Sequence, residues 1–217
     1  MKTILPKIYP ITDREVSGLS HAEQTKQLVA AGAKLIQIRD KKAPSRELFE
    51  DVSHSVEIAH RYGALLIVND RVDVALMTGA DGVHLGQADL PPGAARQLLG
   101  DNAIIGFSTH SVKQVREALA DGFADYIAFG PIFDTSTKMD HDPIVGLEKL
   151  AEIRTLIGGF PLVAIGGIGL KNIASVIASG ADSAAMISEF YGAEHEISFQ
   201  FEALLRAAQS NNTVLKS

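Results

Sequence analysis

One local pattern recurs along this chain and constrains its fold more than any single motif. A run with helical patterning ends at glycine, a short apolar burst follows, and polar residues close the unit. Gly32 precedes the burst 33–39, Gly63 precedes 64–69, Gly79 precedes 80–85 and Gly100 precedes 101–107. Gly122 precedes 123–129, Gly159 precedes 160–165 and Gly180 precedes 181–187. Glycine just past a helix suits a left-handed C-terminal cap, where a Cβ is penalised. The segments between bursts carry helical spacing, as with Val112, Val115 and Leu119.

With Ile8-Tyr9-Pro10-Ile11 at the start, the pattern gives eight candidate strands. Strands alternating with helices form parallel sheets, because parallel neighbours need a crossover. Eight such units close most naturally into an α/β fold of the (β/α)8 TIM-barrel type, for which 217 residues is near the short end. An open doubly wound sheet is the alternative. No linker-like change in composition divides the chain, so one domain over 1–217 is expected, with a polar tail fraying after Gln209.

The chain has no cysteine, which excludes disulfides and thiolate metal sites; a metal would be held by oxygen or imidazole. Its net charge of −6 argues against broad binding to nucleic acid or an anionic membrane, both of which favour a basic face. No apolar core of signal-peptide length opens the sequence. The least charged stretch, 172–188, is interrupted by serine, glycine and Asp182. A soluble cytoplasmic protein is expected, with small phosphorylated molecules as partners and compatible with a homo-oligomer.

In such a barrel the active site lies at the C-terminal ends of the strands. The residues after the bursts are polar, charged or glycine at nearly every strand. Asp70 and Asp89 follow consecutive strands and could approach across the rim, an oxygen pair suited to Mg²⁺ with several waters. For Asp70, capping of the following helix is an equally simple reading. Gln37, Arg39 and Lys41 share one face of an extended chain and suit a phosphate; surface pairing with acids such as Asp40 is the alternative. Thr135-Ser136-Thr137-Lys138 could wrap an anion or act as a lid. Gly166-Gly167-Ile168-Gly169 after the seventh strand, completed by Ser188 after the eighth, falls where barrels commonly hold phosphate. His84 reads as packing or rim structure; His110 and His141 are loop residues with no catalytic proton assigned.

These segments resemble thiamine phosphate synthases. The resemblance is carried by Gln37-Ile38-Arg39-Asp40-Lys41, Asn69-Asp70-Arg71, the run from Val83 to Pro91, and Gly106-Phe107-Ser108-Thr109-His110. It continues through Gly130-Pro131-Ile132-Phe133, Thr135-Ser136-Thr137-Lys138, Ala164-Ile165-Gly166-Gly167-Ile168 and Ile187-Ser188, in family order from about Tyr9 to Phe190. It implies a transferase that joins a hydroxymethylpyrimidine diphosphate to a thiazole phosphate and releases pyrophosphate. On that pattern Gln37, Arg39, Lys41, Asn69, Ser108 and Lys138 hold the pyrimidine diphosphate, with Ile38 and Asp40 inside the same motif. Asp70 and Asp89 hold Mg²⁺, and Thr135, Ser136, Thr137, Gly167, Ile187 and Ser188 hold the thiazole phosphate. Lys138, Ser108 and Arg39 are the expected catalytic groups, in a dissociative substitution that needs no protein nucleophile. Phe107, Asp134 and Ser183-Ala184-Ala185-Met186 depart from the family's usual residues. A thiazole tautomerase, which carries histidine where Pro131 stands, and a non-catalytic binder of such phosphates are the competing readings.

Overall fold

The computed structural model describes residues 5–135, 143–191 and 197–210. Ser136, Thr137, Lys138 and His141 lie outside the described residues, as does the tail from 211. The strands are β1 (Ile8–Thr12), β2 (Leu35–Ile38), β3 (Leu65–Asn69), β4 (Gly82–Leu85), β5 (Ile104–Thr109), β6 (Tyr126–Phe129), β7 (Leu162–Ile165) and β8 (Ser183–Met186). All pair in parallel with their sequence neighbours, and β8 returns to β1, closing the barrel. The open-sheet alternative is excluded.

Helices connect the strands. They are α1 (Arg14–Ser17), α2 (His21–Ala30), α3 (Ser45–Arg61), α4 (Val72–Thr78), α5 (Pro92–Leu99), α6 (Val112–Asp121), α7 (Gly146–Ile157), α8 (Ile173–Ala178) and α9 (Ile197–Gln209). A 3-10 turn over Ser188–Phe190 follows β8. The expected glycine stops are present with one displacement: α7 ends on Gly158, at φ 59°, rather than on Gly159.

The bursts are apolar throughout rather than alternating because the strands are buried on both faces. Ile36, Leu66, Val83, Ile105 and Ile127 point outward into the layer between barrel and helices. Tyr9, Ile11, Leu35, Ile67, Tyr126 and Val163 fill the interior. Gly106 on β5 is required by this interior: a Cβ there would overlap the Tyr126 ring and reach His84 Nδ1.

The N-terminal end of the barrel carries a device used three times. Asp81, Asp125 and Asp182 stand at or next to the starts of β4, β6 and β8. Each carboxylate accepts the N–H of a residue on the preceding strand: Leu66 at 2.7 Å, Ile105 at 2.8 Å and Leu162 at 2.9 Å. Each also meets a basic group from the helix before that strand. His60 Nε2 lies 3.0 Å from Asp81, Arg96 donates to Asp125 at 2.7 Å, and Arg154 donates to Asp182 at 2.6 Å. Charge-assisted bonds to otherwise unpaired strand-end amides pin strand register at this end.

Candidate active site

The C-terminal rim encloses a cavity of about 450 Å³. Its wall includes Gln37, Arg39, Lys41, Asn69, Asp70, Asp89, Ser108, Thr135, Gly167, Ile187 and Ser188. These are eleven of the expected site residues, delivered by β2, β3, β4, β5, β6, β7 and β8. Ile38 and Asp40 do not line it. Ile38 faces the outer layer, as strand alternation requires. Asp40 turns to the barrel's flank, where it accepts from the backbone N–H groups of Lys42 (2.9 Å) and Ala43 (2.8 Å) and lies 3.4 Å from His21 Nε2.

Arg39 is paired, but not with Asp40. Its Nη1 donates to Asp13 Oδ2 at 2.9 Å, while the other Asp13 oxygen accepts from the N–H groups of Glu15 and Val16 at the start of α1. Asp13 was not among the expected site residues. It fixes the guanidinium at the cavity wall and keeps one edge engaged.

Asp70 is no helix cap. Arg71 occupies the cap position of α4 and makes no capping side-chain bond there. Asp70 instead has φ 64°, the one positive value at a non-glycine position among the described residues. Such a conformation costs of order 1 kcal/mol and tends to persist at functional sites. Its N–H donates to His84 O at 2.9 Å, aiming the side chain along the rim. The Asp70 carboxyl is pushed up to about 6, first by burial, then by the hydrogen bond and charge of Asp89; Lys41 and Arg39 pull in the opposite direction. Lys41 Nζ lies 3.7 Å from Asp70. Asp89 is aimed by a tight turn in which its Oδ2 accepts the Gly86 N–H at 2.7 Å. Two carboxyls from consecutive strands therefore meet beside two cations, and Asp70 holds its proton above the usual carboxylate range.

The glycines after β7 serve close approach of backbone. A Cβ on Gly167 would overlap Asp134 O, and one on Gly166 would fall 2.5 Å from Pro131 Cβ. Ile132 and Phe133 donate to Ile165 O and Gly166 O at 2.9 and 3.0 Å, carrying the β6–β7 pairing past the strand ends. Asp134 accepts its neighbour's N–H, that of Thr135, at 3.0 Å. The unusual sequence Ser183–Met186 forms a fully buried β8 all the same.

His84, which reads from sequence as packing or rim structure, belongs to the cavity floor. His84 is buried and joins Tyr126 to Ser108, its Nδ1 lying 3.0 Å from the Tyr126 hydroxyl and its Nε2 2.8 Å from Ser108 Oγ. The signal was a histidine inside an apolar burst, where an unpaired imidazole would be costly.

The thiamine monophosphate synthase family model matches residues 8–190. The chain belongs to that family. Membership places it among transferases of thiamine biosynthesis. It is 47% identical over 186 residues to the thiamine-phosphate synthase of Methanoculleus marisnigri, covering 85% of this chain and 87% of that one. It is 48% identical over 188 residues to that of Pelotomaculum thermopropionicum, covering 86% and 85%. The solved thiamine phosphate pyrophosphorylase from Pyrococcus furiosus superposes with a TM-score of 0.83 at 38% identity, covering 94% of this chain and 96% of that one. The matched span of the family model runs from β1 to the 3-10 turn and so includes every strand that feeds the rim.

Proposed function

We propose that the rim cavity joins 4-amino-2-methyl-5-hydroxymethylpyrimidine diphosphate to thiazole phosphate, giving thiamine phosphate and pyrophosphate. The observation that carries this reading is the Asp70–Asp89 carboxyl pair beside Arg39 and Lys41 on one rim. A carboxyl whose ionisation is opposed first by burial and then by a neighbouring carboxyl is stabilised by a cation placed between them, and two hard oxygen ligands on rigid strand ends fit Mg²⁺. No group of three or more acidic or histidine residues forms a metal cage among the described residues, so water and substrate phosphate would complete the ion's coordination. Bound there, Mg²⁺ would supply charge neutralisation for the diphosphate.

The chain's own groups do the remaining work. Arg39, held by Asp13, and Lys41 stabilise negative charge on the departing pyrophosphate where they already stand. Lys138, outside the described residues, is assigned the same task by resemblance. Gln37, Asn69 and Ser108 orient the pyrimidine ring, and Thr135, Gly167, Ile187 and Ser188 hold the thiazole phosphate, with Ser136 and Thr137 added by resemblance. Once the C–O bond to pyrophosphate breaks, the pyrimidine-stabilised cation is captured by the thiazole nitrogen. No side chain needs to form a covalent intermediate, and positioning carries much of the rate.

No helix among the described residues is long and apolar enough to cross a membrane, in keeping with a cytoplasmic location. The test is incubation with both substrates and Mg²⁺, with product oxidised to fluorescent thiochrome. Product is expected only with both substrates present. Equal fluorescence without the diphosphate would remove the proposal.

A further inference from the structure

Five polar side chains from five strands form one hydrogen-bonded chain through the barrel interior. Gln37 Nε2 on β2 donates to the Tyr9 hydroxyl on β1 at 3.2 Å. Tyr9 and Tyr126, on β1 and β6, share a hydroxyl–hydroxyl bond of 3.0 Å. The Tyr126 hydroxyl meets His84 Nδ1 on β4 at 3.0 Å, and His84 Nε2 meets Ser108 Oγ on β5 at 2.8 Å. Gln37, His84 and Ser108 reach the cavity; the two tyrosines lie beneath its floor.

Each hydroxyl in the chain has one hydrogen to give. Burial raises both phenols above their ordinary range, so each keeps its hydrogen. His84 is buried with a hydroxyl at each ring nitrogen, Tyr126 at Nδ1 and Ser108 at Nε2, which suits a neutral ring with one bare nitrogen and one that carries a hydrogen. An amide nitrogen can only donate. If Gln37 donates to Tyr9, then Tyr9 donates to Tyr126 and Tyr126 to His84 Nδ1. The His84 proton then sits on Nε2 and is given to Ser108, whose own hydrogen is left to donate into the cavity. The Gln37 carbonyl oxygen, not used by this chain, remains as an acceptor.

We infer that Tyr9, Tyr126 and His84 are positioning residues that lock Gln37 as an acceptor and Ser108 as a donor toward the substrate ring. The inference rests on the aminopyrimidine reading above and deepens it. A 4-aminopyrimidine offers an amino donor next to a ring-nitrogen acceptor, whereas its 4-oxo counterpart offers a carbonyl acceptor next to an N–H donor. A wall with fixed polarity rejects the second because each mismatched pair leaves a buried polar group unpaired. The wiring sets selectivity at Gln37 and Ser108 through His84 and through two tyrosines that lie beneath the cavity floor.

The wiring is tested first without turnover. Long-range ¹H–¹⁵N spectra of the ligand-free protein report the His84 tautomer, and neutral imidazole with hydrogen on Nε2 is expected. Hydrogen on Nδ1 would overturn the inference. Tyr9→Phe cuts Gln37 from the chain while leaving the His84–Ser108 pair, and the Nδ1–H form should then become populated; an unchanged tautomer would show that Gln37 does not set the direction. The second test is kinetic. Tyr126→Phe should lower the preference for the 4-amino over the 4-oxo pyrimidine diphosphate at least tenfold in kcat/KM, with the KM for thiazole phosphate unchanged. A shifted melting temperature with unchanged preference would make the chain a structural support only. Absence of turnover by the parent protein would count against the proposed reaction, while the tautomer result would still judge the wiring.

Discussion

The two ends of this barrel use aspartate in opposite ways. At the N-terminal end Asp81, Asp125 and Asp182 each accept a strand amide and face a basic side chain, so each carboxylate is matched within the fold. At the C-terminal end Asp70 faces Asp89, with a backbone conformation that favours glycine and a carboxyl held protonated to about pH 6. The first arrangement completes the fold; the second is the pair proposed above to hold the cation. The contrast follows the general division of such barrels, in which one face carries stability and the other chemistry.

The largest effect expected from breaking this contrast is on turnover. Asp89→Ala should lower kcat by about 10²–10³, roughly 3–4 kcal/mol, as for removal of other preorganised electrostatic groups. Its melting temperature should stay near the parent's, because relief of the carboxyl pair offsets the loss of the Gly86 bond. Steady-state kinetics and calorimetry together check this; an early-melting variant with parental kcat would assign Asp89 to the fold instead.

Asp125→Ala should behave in the opposite sense. It strands the Ile105 N–H and removes a partner of Arg96, and about 2 kcal/mol of stability should go. Urea unfolding measures the loss, while kcat per folded molecule should hold. A fall in kcat without a shift in the midpoint would erase the distinction between the ends.

The smallest effect is a pH dependence. The folded chain holds the Asp70 proton more tightly than an ordinary carboxyl of 3.8, up to about 6. The stability this contributes is full below about pH 4 and is lost as pH rises through 6. Allowing for partial solvent screening, the change is of order 1 kcal/mol. In chelator-treated protein, Asp70→Asn should flatten that part of the stability–pH curve, and an identical slope in parent and variant would contradict the assignment.

The barrel was legible because its strands are buried on both faces and its helices stop at glycine, and both leave local marks. The position of α7's end shifted by one residue because Gly158 and Gly159 are adjacent and sequence does not say which turns. The cavity wall was legible where strand alternation governs it, as in Gln37, Arg39 and Lys41. Alternation also places Ile38 and Asp40 on the far side, a step the motif as a whole obscured. The Asp13–Arg39 pair joins the ends of adjacent strands β1 and β2, whereas the Tyr9–Tyr126–His84 chain depends on which strands meet across the barrel, and pairing of residues 117 positions apart leaves no local mark. The N-terminal aspartates did leave one. Ala-Asp follows within two residues of glycine at 79–81, 122–125 and 180–182, but its role appears only when the preceding strand's amide is in view.

The contrast between the two ends turns on whether the rim carboxyls, and not the N-terminal ones, bind a divalent cation. Mn²⁺ titration followed by electron paramagnetic resonance, with inorganic pyrophosphate present, can be run on the parent, Asp89→Asn and Asp125→Asn. Parent and Asp125→Asn should bind one ion with the same affinity, and Asp89→Asn should bind it at least tenfold more weakly. Parental affinity in Asp89→Asn, or loss of the ion in folded Asp125→Asn, would contradict the account.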